Sequence, residues 1–222
     1  MITITDCMAA TSQEGQDAAT KGTFGMFSKS MTADEFKAEV KEFTDASAAS
    51  SRTFTPTTAK GGCAIDSSKT AVLCIEYQNE FTTEGGKLHG AVKPVMDSTG
   101  MLDKSVGLCA AARAAGVKVF HEGITFADDA SDNPNKGLGI LAGCAGDKLF
   151  TAGTWNAEFC EKMTPQSGDV VVQGKKGLDG FPGTDLEAKL LQNGIETVAI
   201  TGFLTNCCVE STMRTACELD IM

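Results

Sequence analysis

Three stretches of this chain carry side chains able to do covalent chemistry. Cys207 and Cys208 are adjacent thiols in Thr201-Gly-Phe-Leu-Thr-Asn-Cys-Cys-Val-Glu-Ser-Thr212, which reads as a strand passing through a tight turn into a helix. A thiol in the first turn of a helix feels the positive end of the helix dipole. A lysine beside it lowers its pKa further, so a thiolate nucleophile is expected near neutral pH. Lys175 and Lys176, in the glycine-rich run from Gly174 to Gly183, are candidate ammonium groups, and Glu76 closes the apolar run Val72-Leu-Cys-Ile75. A carboxylate to take the thiol proton and a cation to hold negative charge would complete a nucleophilic site. Taken singly, each has a plainer explanation: free cysteines are usually small core residues, and strand-end glutamates are usually solvated. The lysine loop invites a phosphate reading, but neither the Gly-x-x-x-x-Gly-Lys-Ser/Thr order nor a strand followed by Gly-x-Gly-x-x-Gly is present.

Positioning these groups requires a particular kind of scaffold. Short apolar runs at Ala71 to Glu76, Val117 to His121, Asp169 to Gln173 and Thr197 to Thr201 alternate with helix-length segments, the pattern of a parallel α/β sheet. Met101 to Ala115 has apolar residues at three- and four-residue spacing and is stopped by Gly116. A further helix is expected over Asp185 to Asn193, opened by a Thr184/Glu187 capping box and closed by Gly194. Open sheets of this class bind ligands at the carboxyl ends of their strands, and all three reactive stretches fall there. Toward the amino terminus, Ile2 to Thr5 reads as a strand. It is followed by a polar helical stretch and a helix from Ala33 to Phe43 with a Thr32/Glu35 capping box. Thr44 to Thr70 has the Ser, Thr, Ala, Lys and Gly composition of a flexible connector. The last residues, Asp220 to Met222, fall where another strand would start, and Ile2 to Thr5 would supply it.

Composition narrows the function classes. With 222 residues, 42% hydrophobic and 22% charged, the chain suits one globular domain. A formal charge of -10 disfavours nucleic acid and anionic membrane surfaces as partners. Nine cysteines lack the spacing of a disulfide scaffold or zinc ribbon, and there are only His89 and His121 to assist them, so reduced thiols and no metal or other cofactor are expected. Met1 to Ala10 lacks signal-peptide character and no run is long enough to span a membrane, which predicts a cytoplasmic or organellar protein. His121 reads as a strand-end histidine rather than a catalyst.

Three blocks resemble a known family. Cys74-Ile-Glu-Tyr-Gln-Asn-Glu-Phe81, Lys175-Lys-Gly-Leu-Asp-Gly-Phe181 with Gly183-Thr-Asp-Leu186, and Gly202-Phe-Leu-Thr-Asn-Cys-Cys-Val-Glu-Ser-Thr212 are similar in order and spacing to the signature blocks of isochorismatase-like cysteine hydrolases, over Thr70 to Met222. The resemblance implies a three-layer α/β/α, doubly wound, mainly parallel Rossmann-like sheet. It also implies a catalytic triad of Glu76, Lys175 and Cys208, with Lys175 and Cys208 preferred to their neighbours by their distances from Phe181 and Val209-Glu210. It further implies a cis peptide at Phe203-Leu204, an oxyanion hole from the Leu204 and Cys208 amides, and self-association into a homo-oligomer.

Ile2-Thr-Ile-Thr-Asp-Cys-Met-Ala-Ala-Thr-Ser12 resembles the stretch that normally follows the cysteine helix. The chain therefore reads as circularly permuted, or as one unit of a tandem array. Residues 1–43 would be the displaced carboxyl-terminal strand and helices, 44–70 a linker, and 71–222 the hydrolase core. Phe81, Trp155 and Phe181 are candidate walls of the substrate pocket.

The activity implied is cleavage of a C–N bond in a small amide or ureide through a thioester. The Asp-x-His signature of the family's nicotinamidases is absent after His121. One departure matters: the family's usual aspartate is Glu76 here, which carries the carboxylate roughly 1.3 Å further, a displacement of the size that can cost about a hundredfold in rate. The alternative is therefore a catalytically impaired member acting as a binding or assembly protein. A thiol redox role for Cys207 and Cys208 is disfavoured, because such proteins use Cys-x-x-Cys.

Overall fold

The computed structural model describes residues 1–46 and 65–221. Most of the expected connector, 47–64, lies outside the described residues. Among those described, six strands form one sheet: β1 (Ile2–Ala9), β2 (Lys29–Met31), β3 (Thr70–Ile75), β4 (Lys118–Glu122), β5 (Val170–Val172) and β6 (Thr197–Phe203), in spatial order β2-β1-β6-β3-β4-β5, with every pair parallel. The helices are α1 (Gln13–Asp17), α2 (Phe24–Phe27), α3 (Ala33–Ala46), α4 (Asn79–Thr82), α5 (His89–Thr99), α6 (Met101–Ala114), α7 (Gly139–Gly146), α8 (Leu186–Gln192) and α9 (Glu210–Glu218).

The two-residue period of the central strands divides the core into two apolar layers. On one face Val72, Cys74, Val119 and Ala199 pack with Phe36 and Val40 of α3, Val92 and Val95 of α5, and Leu108 and Ala112 of α6. On the other face Ala71, Leu73, Ile75, Phe120, Val198 and Ile200 pack with Leu186 and Leu190 of α8 and Met213 and Ala216 of α9. Both β3 and β6 are buried along their whole length. Covered parallel strands read as unbroken apolar runs for this reason. The result is a doubly wound α/β sheet.

The amino-terminal strand joins the same sheet as the hydrolase-like blocks. β1 runs parallel to β6, with Ile2 opposite Ala199 and Thr3 opposite Ile200, and a register shift precedes the pairing of Met8 with Gly202. It extends beyond Thr5 to Ala9 and carries β2 on its outer edge, which the sequence reading did not include. Three residues with one buried side chain give too short a pattern to read.

The Thr32/Glu35 capping box forms, with Thr32 N–H donating to Glu35 Oε2 at 2.7 Å and Glu35 N–H donating to Thr32 Oγ1 at 3.2 Å. The expected box at Thr184 does not. The Thr184 hydroxyl instead donates to the Gly180 carbonyl at 2.5 Å, and Asp185 becomes the residue before α8, where its Oδ1 accepts from Gln173 N–H at 2.8 Å. Tertiary contacts to the lysine loop displace the local motif.

No helix among the described residues is long and apolar enough to cross a membrane.

Candidate active site

Glu76 follows the last residue of β3 and takes a left-handed backbone conformation, φ 58°, rare for a side chain of this size. Its N–H donates to the Glu122 carbonyl at 2.7 Å, and its own carbonyl accepts from Gln78 N–H at 2.7 Å. The strand thus breaks sharply and turns the carboxylate into the interior, leaving it 2% exposed. The residues that follow clamp the surrounding loops. Tyr77 Oη bonds the Cys7 carbonyl, Ser105 and Thr201; Gln78 Nε2 donates to the Ile124 and Ala157 carbonyls; Glu80 accepts the Lys87 and Phe150 amides.

Lys175 lies in the loop after β5 and is 1% exposed. Gly174 before it needs its φ of +96°, and a Cβ there would stand 2.5 Å from the Gly183 carbonyl oxygen. The ammonium donates to the carbonyls of Gly177 at 2.7 Å and Leu178 at 2.6 Å, and stands 3.5 Å from Glu76 Oε1. Lys176 points away from it, donating to the Thr125 carbonyl at 2.6 Å and pairing with Asp132 at 2.7 Å.

Cys208 lies on the third arm. β6 ends at Phe203, the Phe203-Leu204 peptide is cis, and a π turn over Thr205–Val209 leads into α9. Gly202, φ +125°, is enforced by close approach: a Cβ there would come 2.1 Å from the Ile75 carbonyl oxygen. Gln16, 4% exposed between α1 and the turn, accepts from Thr205 Oγ1 at 2.6 Å and from Ala10 N–H at 3.1 Å, tying the amino-terminal segment to the cysteine loop.

Glu76, Leu204, Cys207 and Cys208 line one cavity of about 220 Å³, with Thr11 of the amino-terminal segment on its wall and Lys175 buried against the same carboxylate. Phe81 also lines it, stacked on Phe203 with ring centroids 5.0 Å apart. Phe181 and Trp155 are not among its walls. Phe181 packs in the α8–α9 layer with Cys208, and Trp155, 48% exposed, lines a separate surface depression with Glu80 and Lys87. Their places are taken by Ile124, Leu141, Leu149 and Phe150, from the β4 loop and the α7 region. The glycine-rich apolar run of α7 carried that signal only weakly, because helical period is poorly expressed in eight residues.

Burial raises the Glu76 carboxyl well above the usual glutamate range, the neighbouring Cys208 adds to this, and Lys175 opposes it. Burial alone would lower Lys175, but Glu76, Cys208 and Glu122 together outweigh it and hold its pKa up, so it stays an ammonium. The Cys208 thiol differs from the sequence expectation. Contact with the Cys207 thiol and burial hold its pKa well above the ordinary value, although Lys175 and Glu76 pull it down, and the same thiol contact draws Cys207 down. The Cys207 contact and the desolvation of a buried π turn together outweigh the dipole that exposed helix ends provide.

One way remains to reach a thiolate cheaply. Passing the thiol proton to Glu76 converts ammonium, carboxylate and thiol into ammonium, carboxylic acid and thiolate, and leaves the net charge of the buried group unchanged.

The sequence reading missed a second buried carboxyl. Glu122, at the end of β4, is fully buried with both oxygens unpartnered; burial pushes its pKa to about 8, against the pull of Lys175. His121 beside it faces away from the cavity, its Nε2 3.0 Å from Asp169 Oδ2, which also pairs with Arg113.

The isochorismatase domain family matches residues 70–222. Among curated relatives, ureidoacrylate amidohydrolase RutB of Methylorubrum extorquens is 33% identical over 162 residues, 68% of this chain and 65% of that protein, so the chain spans just under two thirds of that relative's length. RutB of Agrobacterium fabrum is 32% identical over 168 residues, 69% of this chain and 72% of that one. Among solved structures, a cysteine hydrolase from Pseudomonas syringae pv. phaseolicola superposes with a TM-score of 0.62 at 28% identity, covering 78% of this chain and 74% of its own. N-carbamoylsarcosine amidase from Thermoplasma acidophilum gives 0.54 at 26%, covering 67% and 75%.

Proposed function

From the premise that this chain belongs to the isochorismatase domain family, we propose that it is a cysteine hydrolase cleaving a C–N bond of a small amide or ureide. Glu76 takes the Cys208 proton, and the thiolate adds to the substrate carbonyl carbon. The oxyanion is held by the Leu204 and Cys208 amides. Glu76 then gives its proton to the leaving nitrogen, the C–N bond breaks, and a thioester remains. Glu76 next deprotonates a water that attacks the thioester; the acid leaves and the proton returns to sulfur. Lys175 keeps one positive charge beside these anionic steps.

The observation that carries this reading is the buried Lys175 ammonium, fixed by two carbonyls 3.5 Å from Glu76, beside the cavity that Cys208 lines. The relatives it matches are named as hydrolases, which lends no support to the non-catalytic alternative. The test is acid release from a panel of amides and ureides, with intact-mass detection of an acyl-enzyme. Cys208→Ala should abolish both and Cys207→Ala neither. Activity surviving Cys208→Ala refutes the assignment.

The same reading covers the amino-terminal segment. Residues 1–43 are elements of the hydrolase domain itself, placed ahead of it by circular permutation or by division of a tandem array. The parallel pairing of β1 with β6 and the Gln16–Thr205 bond support this. The family resemblance further implies a homo-oligomer, which light scattering of the purified chain would check, and the sequence a cytoplasmic or organellar location, which fractionation of the source cells would check.

A further inference from the structure

The cavity beside Cys208 tells what kind of molecule fits, given the hydrolase reading on which this inference rests. Its wall is made largely of Phe81, Ile124, Leu141, Leu149, Phe150 and Leu178. Among the described residues that line it there is no Arg, Lys or His. Lys175, beside it, already has two carbonyls and Glu76 as partners.

The charged groups that do line it, Glu76 and Asp147, are both acidic, and Asp147 is exposed. Lys87 donates to the Asp147 carbonyl oxygen, but it lines the separate depression beside Trp155. A carboxylate on the substrate would therefore lose its water, gain no partner ammonium and approach two acids, in a chain whose formal charge is already -10.

We propose that the substrate is a small neutral amide or alkylurea with an apolar body, and that carboxylate-bearing ureides are excluded. At about 30 Å³ per water-sized group, a cavity of about 220 Å³ accommodates on the order of seven heavy atoms. Within that limit each methylene buried in the transition state raises kcat/KM about fourfold.

Pairs of equal heavy-atom count, close to that size and differing in charge, test this: 3-methylbutanamide against 3-amino-3-oxopropanoate, 4-methylpentanamide against 4-amino-4-oxobutanoate, and isobutylurea against N-carbamoylglycine. Two readouts are taken, kcat/KM with the unaltered protein and calorimetric binding to Cys208→Ala. The neutral member is expected to lead by at least tenfold in both. An anionic member equal to or better than its neutral partner overturns the proposal.

If nothing is hydrolysed yet neutral members still bind tenfold tighter, the hydrolase reading fails and the ligand class stands. Turnover favouring the anionic members does the reverse. Ile140→Arg, at a half-exposed position on the cavity wall, supplies the missing cation and should narrow the neutral preference at least tenfold. An unchanged preference also overturns the proposal.

Discussion

Lys175 Nζ stands 3.5 Å from Glu76 Oε1 while its protons go to the carbonyls of Gly177 and Leu178, so the ammonium is held by the backbone and serves the carboxylate electrostatically. Replacing it with Met leaves Glu76 buried without a counter-charge. Its pKa climbs further, so the carboxyl already carries a proton and has no vacancy for the one on Cys208. Lys175→Met should lower kcat about a thousandfold with the fold retained. Glu76→Asp tolerates the left-handed backbone but withdraws the carboxyl from Lys175, and about a hundredfold loss is expected. Steady-state kinetics with circular dichroism as the control decides both; wild-type rates in either variant contradict the site.

Alkylation separates a working nucleophile from a buried thiol. Iodoacetamide, a small neutral amide, should modify Cys208 at neutral pH faster than the buried Cys109 and Cys160, and this advantage should vanish in Lys175→Met. Peptide mapping by mass spectrometry reads the order of labelling. Equal rates at all three sites would remove the catalytic role from Cys208.

Gln16 couples the amino-terminal segment to the cysteine loop. Gln16→Leu deletes its bonds to Thr205, Ala10, Thr5 and Met8. Stability should fall by about 2–3 kcal/mol, since buried polar groups lose their partners. Well below the melting temperature kcat should drop about tenfold while KM stays within twofold. An unchanged kcat would make Gln16 merely structural.

Glu122 sets a pH dependence of stability. Its folded pKa, about 8, lies above the ordinary value of 4.5, so between these the folded state binds the proton and the unfolded state does not. Its contribution therefore becomes less favourable as pH rises from about 4.5 to about 8, and the penalty is fully present above that. Glu122→Gln should be more stable than the parent at pH 8.5, on the order of a few kcal/mol, with the difference shrinking toward pH 4.5. Urea titrations at several pH values give the difference directly, and a gap independent of pH refutes it.

Permutation is testable by rearranging the gene. Met1 and Ile221 pack on the same apolar layer, so a short linker from residue 222 to residue 1, with a new start inside 47–64, should leave the sheet intact. The rearranged protein is expected to melt within a few degrees of the parent and to keep its activity within threefold. An unfolded product would count against the placement of residues 1–43.

The sequence already determined the sheet class, the parallel strands and the three reactive arms. Val72-Leu-Cys-Ile75 and Val198-Ala-Ile200 are apolar because both faces of a covered strand are buried, and that pattern is local. The ends of β3, β4, β5 and β6 were legible to within about two residues for the same reason, whereas β1 runs on from the expected end at Thr5 to Ala9. Thr184 shows where local pattern yields: its capping box was outcompeted by the Gly180 carbonyl, which lies on the opposite side of Thr184 from Glu187 along the chain.

Tertiary structure alone decided how the site ionises and what it can hold. Burial raised Glu76 and Glu122, and the Cys207 contact together with burial raised Cys208 where spacing had suggested an acidic thiol, because desolvation depends on everything packed around a group. It also replaced Trp155 and Phe181 by α7-side residues as cavity walls and placed Gln16 under Thr205, 189 positions away. A strand's period survives in a few residues, but a cavity is defined by side chains from loops whose mutual distance no single stretch of sequence encodes.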